Sequence, residues 1–276
     1  MSKVVLITGC STGIGRDLAQ RLAQSGYTVV ATARKVDSLD GLQAALKLPL
    51  DVSDSKSINQ AVEHVLRHSG RIDVLINNAG YALRGAVEEL PIDEVQKMFD
   101  VNVFGMMRMI QAVVPHMRQQ KSGRIINISS IAGKFFTPAN GTYSATKFAL
   151  EALSDALRLE LVPFGIQVVL IEPGSIRTPF HTTVESNAQE IFSNPSSPYR
   201  PLYQQYEKVT ADMRRGEPGP EAVSKVVQQA METPKPKDRY LVAFSLSGRL
   251  VMHLGDPVWD LVVRHLFRIQ EATSNA

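Results

Sequence analysis

The feature that most restricts this chain is a short apolar run that opens directly onto glycine. Lys3-Val4-Val5-Leu6-Ile7 is rich in β-branched residues and has no polar alternation, the pattern of a strand buried on both faces of a parallel sheet. It runs into Thr8-Gly9-Cys10-Ser11-Thr12-Gly13-Ile14-Gly15. Gly9, Gly13 and Gly15 permit a tight turn, close backbone approach to a pyrophosphate and close helix-to-strand packing. A helix starting here aims its free N–H groups at the same point, so Ser11, Thr12 and Ile14 join the glycines in a phosphate cradle. The spacing is Gly-x-x-x-Gly-x-Gly, not the commoner Gly-x-Gly-x-x-Gly, and the strand before and helix after supply the context that gives such a loop meaning.

Strand and helix signals alternate through most of the chain. Leu18, Ala19, Leu22 and Ala23 recur at helical spacing until Gly26, a helix stop. Strands are predicted at 28–32, 74–76, 125–128, 166–171 and 240–243, with helices between them. This alternation predicts an α/β fold, a single-domain Rossmann-like doubly wound parallel sheet with helices on both faces. At 276 residues the chain suits one domain, 1–276, with a variable substrate lid over about 179–218 and a C-terminal extension over about 245–276. Ligands of such sheets bind beyond the carboxyl ends of the strands, where Gly9, Asn77, Ser130 and Pro173 fall.

A second constellation carries chemistry. Tyr143 and Lys147 are four residues apart and share one helix face, and Ser130 lies upstream at the end of Arg124-Ile125-Ile126-Asn127-Ile128-Ser129-Ser130. A phenol beside an ammonium can pass a proton to and from a carbonyl oxygen. Lowering a tyrosine pKa from about 10 to about 7 takes about 4 kcal/mol, and a lysine neighbour is expected to supply part of it. Asn102 is a poor helix former in an otherwise helical stretch, which predicts a local break. The duller readings are an exposed helical pair, a loop-capping serine and a surface asparagine.

Together these motifs resemble the short-chain dehydrogenase/reductase family, nearest in look to its hydroxysteroid and retinol dehydrogenase side. The resemblance runs over residues 3 to 180 and includes Leu50-Asp51-Val52, Asn77-Asn78-Ala79-Gly80, Asn102 within Phe99-Asp100-Val101-Asn102-Val103, and Pro173-Gly174-Ser175-Ile176-Arg177-Thr178. It implies NAD(P)-dependent hydride transfer between alcohols and carbonyls. Tyr143 is then the acid/base, Lys147 its tuner and a ligand of the nicotinamide ribose, and Ser130 the anchor of the substrate oxygen. Asn102 is the fourth member, at a break holding a water that connects Lys147 to solvent. Asp51 and Val52 flank the adenine, Asn78, Ala79 and Gly80 support the cofactor backbone, and Pro173, Gly174, Ile176 and Thr178 serve the nicotinamide end.

The residue ending the second strand separates the two cofactors, because a carboxylate there holds a ribose 2′-hydroxyl and repels a 2′-phosphate. This chain has Ala33-Arg34-Lys35, and Arg34, helped by Ser11 or Thr12, suits a phosphate. NADP(H) is therefore favoured and NAD(H) stays possible, with Asp37 as ribose ligand in the alternative.

Net charge is +3 with 21% charged residues, too mild for a nucleic-acid partner, and Pro234-Lys235-Pro236-Lys237 reads as a solvated loop. The single cysteine, Cys10, excludes an internal disulfide and reads as a small packed side chain; with no secretory pattern, a cytoplasmic location is expected. His64 and His68 read as a solvated helix face, with no metal site predicted, and Met106, Met107, Met109 and Met117 as packing. Phe180, Val184, Ile191, Phe192, Tyr199 and Tyr203 predict a mobile apolar lid, and Phe135 and Phe136 are expected in the same pocket; the resemblance to the hydroxysteroid and retinol dehydrogenase side implies a bulky apolar alcohol or ketone as substrate. An amphipathic helix over 257–270 is assigned to core or subunit packing, with membrane-surface contact the minor alternative. A homodimer or homotetramer is expected. A non-catalytic NADP sensor and a sugar-nucleotide epimerase or dehydratase are the competing functions.

Overall fold

The apolar runs pair side by side in a computed structural model that describes residues 2–244 and 256–269. Seven strands form one sheet: β1 (Val4–Ile7), β2 (Thr28–Ala33), β3 (Leu46–Pro49), β4 (Val74–Asn77), β5 (Gly123–Ile128), β6 (Ile166–Pro173) and β7 (Arg239–Val242). Their spatial order is β3-β2-β1-β4-β5-β6-β7, and every adjacent pair is parallel. The order reverses between β1 and β4, which opens a crevice at the carboxyl ends of those strands.

Strand alternation sorts the core into two layers. Val5 and Ile7 of β1 face one layer with Val29 and Ala31 of β2, covered by Leu18 and Leu22 of α1 (Gly13–Gln24) and Val223 and Val227 of α8 (Glu221–Glu232). Val4 and Leu6 face the other, packed on Ile58 and Val62 of α2 (Ser55–Ser69) and on Met109, Val113 and Met117 of α4 (Gly105–Gln120). Leu161 of α5 (Gly141–Leu161) closes that second layer. With both faces covered, the central strands need no polar alternation, and all four β1 residues are buried.

Several elements differ from expectation. β3 is an edge strand that the sequence pattern hides, because Leu46-Lys47-Leu48-Pro49 is short, alternates and ends in proline, a residue that weakens a strand reading. The lid segment is two helices, α6 (Phe180–Ser193) and α7 (Arg200–Met213). Between α3 (Ile92–Phe99) and α4 the chain makes a π-helical turn over Asp100–Phe104, the break that Asn102 foretells. Met106, Met109 and Met117 are core residues, Cys10 is fully buried, and His64 and His68 stand on the exposed face of α2. The 245–276 extension is described only over 256–269, where α9 (Asp256–Phe267) lies against α7; the remainder falls outside the described residues. Among the described residues no helix is long and apolar enough to cross a membrane.

Candidate active site

A cleft of about 2000 Å³ lies at the carboxyl ends of the strands, and its lining runs from Arg34 past Gly13, Asn78 and Tyr143 to Phe267. At the β1 end the glycines are held by their neighbours. Thr8 Oγ1 accepts hydrogen bonds from the backbone N–H of Asn78 and Ala79, both 3.0 Å, and Asn78 Nδ2 donates to the carbonyls of Thr8 (2.9 Å) and Gly9 (3.0 Å). Gly9 has φ +74°, and a Cβ on it would meet Ala79 Cα at 2.9 Å. A Cβ on Gly15 would lie 2.3 Å from the Gly9 carbonyl oxygen and 2.4 Å from Asn78 Nδ2, so α1 can start this close to the turn only without a side chain there. These crowded positions leave the free N–H groups of α1 facing the cleft, a fit for a dinucleotide's pyrophosphate.

Around this cradle, Ser11, Thr12 and Ile14 line the cleft, as do Arg34, Asp51 and Val52 toward its outer end. Arg34 is exposed, and Asp37 is not among the lining residues. Arg16, one residue past the last glycine, donates to the carbonyls of Ser38 (2.9 Å) and Asp40 (2.6 Å), which fixes the loop beyond Arg34. The Asp51 carboxylate accepts from the hydroxyl and backbone N–H of Ser53, and these bonds with the Arg34 charge hold its carboxyl below the usual range despite burial. Pro173, Gly174, Ile176 and Thr178 line the opposite wall, with Thr178 packed beside Gly13.

Asn102 is no surface residue: it is 2% exposed, and both ends of its carboxamide are used. Its Oδ1 accepts from the Tyr81 N–H (3.0 Å), and its Nδ2 donates to the Tyr81 carbonyl (2.8 Å) and Thr146 Oγ1 (3.2 Å). Thr146 Oγ1 in turn donates to the Tyr143 carbonyl at 2.7 Å. The π-turn thus ties the Asn78-Ala79-Gly80 loop to the helix turn that carries Tyr143.

Tyr143 and Lys147 lie on the inward face of α5, 8% and 7% exposed. Lys147 Nζ donates to the Ile128 carbonyl at 2.9 Å and sits 5.8 Å from the centroid of the Tyr143 ring. Burial draws the ammonium down to about 8, against the pull of Glu151 one turn further along. Burial pushes the Tyr143 phenol up, opposed by the Arg84 cation and a hydrogen bond with Ser130. Two cations therefore stand near this ring, the Lys147 ammonium and the Arg84 guanidinium, whose Cζ lies 5.0 Å from the ring centroid. Ser130 caps the short turn Ile131–Gly133, its Oγ accepting from the Ala132 N–H at 3.1 Å, and it also lines the cleft beside Tyr143.

The far end of the cleft is apolar. Phe180 of α6 leans on Tyr143 with ring centroids 6.2 Å apart, and Leu83, Ile191, Tyr206, Val262 and Leu266 continue the wall. Phe135 lines it, but Phe136 does not: it is 41% exposed, and its carbonyl accepts from Trp259 Nε1 at 2.7 Å. The lid helices are anchored, with Phe192 and Tyr203 stacked at 4.3 Å and the Tyr203 hydroxyl bonded to Glu89 and the Ala86 N–H. On α9, Val263 and Phe267 are buried while Trp259, Val262 and Leu266 face the cleft, which accounts for its apolar face as packing.

Sequence reasoning missed Arg84, Thr8 and a buried ion cluster under the Ser130 loop. In that cluster Lys134 and Arg239 each reach both Glu151 and Glu172, at 2.8 and 3.4 Å for the lysine and 3.2 Å each for the arginine. Only Thr8 had a local signal, its place between strand and glycine; the others depend on distant segments meeting.

The short chain dehydrogenase family matches residues 3–189. The human 17-beta-hydroxysteroid dehydrogenase type 1 is 39% identical over 269 residues, covering 92% of this chain and 81% of that protein. A 3-ketodihydrosphingosine reductase of Bacteroides thetaiotaomicron is 44% identical over 189 residues, 68% of this chain and 69% of its own. A short-chain dehydrogenase from Streptomyces avermitilis superposes with a TM-score of 0.79 over 96% of both chains at 33% identity. Of other solved structures sharing the fold, ElxO is bound to NADP and a 3-ketoacyl-(acyl-carrier-protein) reductase from Brucella melitensis to NADH, at TM-scores of 0.70 and 0.72 and 27% and 26% identity. A match that spans the glycine turn, the Asn102 break and the Tyr143 helix in one alignment leaves neither the sensor nor the epimerase reading in favour: this chain belongs to the short-chain dehydrogenase family and is an oxidoreductase with a nicotinamide cofactor.

Proposed function

We propose that this protein interconverts an apolar ketone and its secondary alcohol, with Tyr143 as proton donor and acceptor, and that it favours NADP(H) over NAD(H). The observation that carries this reading is the convergence of Ser130, Tyr143 and Lys147 on one cleft that also contains the glycine cradle. A nicotinamide held in this cleft would supply hydride-transfer chemistry at the substrate carbon. Ser130 donates a hydrogen bond to the substrate oxygen, and Tyr143 gives that oxygen its proton in reduction or removes it in oxidation. Lys147 holds positive charge beside the phenol and would bind the nicotinamide ribose, while Asn102 keeps the loop and helix in register at a break that holds a water connecting Lys147 to solvent. Arg34 would take the 2′-phosphate, with Ser11 and Thr12 near it, Asp51 and Val52 would flank adenine, and Ile176 and Thr178 would meet the carboxamide.

The apolar wall supports a bulky apolar substrate, in keeping with the names of the steroid dehydrogenase and ketosphingosine reductase relatives. Assembly as a homodimer or homotetramer is supported by Phe148 and Leu159, 44% and 65% exposed along the outer side of α5. A panel of ketones and alcohols, followed by absorbance of the reduced nicotinamide, tests the reaction. Turnover that falls about 10²- to 10⁴-fold in Tyr143→Phe is the expected result. Unchanged turnover in that variant overturns the assignment.

A further inference from the structure

We propose that Arg84 is a positioning residue for this reaction: its guanidinium, held over the Tyr143 ring by Asn140, is the permanent cation that favours the ionised phenol. The inference rests on the reading of Tyr143 as the proton-transfer group and adds a residue to it. Arg84 is the one charged residue in Tyr81-Ala82-Leu83-Arg84-Gly85-Ala86, a half-buried position on the apolar side of the cleft. A cation there loses hydration, and an ordinary structural arginine would recover that loss on a carboxylate. Among the described residues Arg84 has no such ion pair. Its Nη1 donates to Asn140 Oδ1, at the start of α5, and its buried Nε has no hydrogen-bond partner. What the guanidinium does meet is the face of Tyr143, with Cζ 5.0 Å from the ring centroid.

Lys147 is the less constant of the two cations. Its Nζ is 5.8 Å from the same centroid, spends a hydrogen bond on Ile128, and burial leaves it titrating at about 8. An arginine stays protonated throughout the working range of an enzyme. Other groups facing Tyr143 do not replace it. Ser130 arrives from the loop after β5 as a neutral hydroxyl, and α6 brings Phe180, with His181 beyond it held at 3.5 Å from Glu217. Burial and the Arg214 charge keep that imidazole less basic than usual. From α3 the groups behind Tyr143 are Val95 and Met98, with no charge between them and the ring. A unit charge about 5 Å away moves a pKa by about 0.6 unit in a water-like medium and about 2.4 at an effective dielectric of about 20, so on the order of one unit is expected.

The test compares Arg84→Met, which keeps the aliphatic cover of the ring and removes the charge, with Arg84→Lys, which restores a charge. In alcohol oxidation, where the phenolate is the working form, the pH at which kcat rises should move up by about one unit in Arg84→Met and return most of the way in Arg84→Lys. In the cofactor-free protein labelled at tyrosine Cζ with carbon-13, the Tyr143 resonance, assigned by its loss in Tyr143→Phe, should show a several-fold smaller ionised fraction at pH 10 in Arg84→Met. An Arg84→Met protein with raised KM or lowered kcat but an unmoved pH profile and an unmoved resonance has lost only a loop contact, and overturns this inference alone. Activity surviving Tyr143→Phe overturns the proposed function, and the role of Arg84 falls with it.

Discussion

Replacing Lys147 with methionine should alter the dependence of stability on pH in a way that its burial dictates. The side chain is 7% exposed, and its pKa is drawn from 10.5 to about 8 because the ammonium is costly in this environment. At about 1.36 kcal/mol per unit, the charged form imposes a penalty of roughly 3 kcal/mol on the native state at pH 7, net of the Glu151 attraction that is already included in that pKa. Between about pH 8 and 10.5 the unfolded chain keeps this proton while the native protein releases it. Linkage then makes stability rise with pH across that window, and the penalty is fully present below it. From pH 7 to pH 9.5 the protein should gain about 2 kcal/mol relative to the methionine variant. The measurement is urea unfolding of both proteins at the two pH values, each in a Tyr143→Phe background so that the adjacent phenol does not titrate. A stability difference that stays constant between pH 7 and 9.5 would refute the claim that burial, and not pairing, governs this lysine.

Other outcomes are open to the same kind of check. Arg34→Ala should weaken NADPH binding at least about tenfold while leaving NADH nearly unchanged in fluorescence titrations, since only the former loses a charge-assisted contact; equal losses would remove Arg34 from the cofactor assignment. Gly15→Ala places a methyl group 2.3 Å from the Gly9 carbonyl oxygen, so calorimetry should find loss of cofactor affinity together with a lowered Tm. Asn102→Ala deletes the side chain that both accepts from and donates to Tyr81, and should cost about 2–4 kcal/mol by denaturant unfolding, with activity falling more than the residual folded fraction explains.

The parts of this protein that could be read from its sequence are those set by local rules. An apolar run followed by glycine requires a buried strand and a tight turn, and a Tyr-x-x-x-Lys pair on a helix must share a face, so β1, the cradle and the α5 pair stand where expected. Asn102 was legible as an irregularity because its helix propensity conflicted with its surroundings, although which groups its carboxamide joins depends on Tyr81 and Thr146, far away in sequence. β3 was hidden because an edge strand covered on few sides needs little apolar signal. Arg84 gave no sign at all: its meaning lies in Asn140 and Tyr143, brought to it by the crossover between β5 and α5. Phe135 and Phe136 could not be told apart either, since adjacent loop residues point in directions that only tertiary packing decides.

The separate origins of floor and walls matter for how such a protein diversifies. In the proposed reaction the proton-handling groups stand on the loop after β5, on α5 and on the loop after β4, whereas the apolar walls of the cleft belong largely to α6, α7 and α9, which enter after the last motif has been laid down. Exchanging that later segment can therefore admit a new molecule without rewriting the chemistry beneath it, and the ring of Phe180 against Tyr143 is the seam where such a transplant would be felt first.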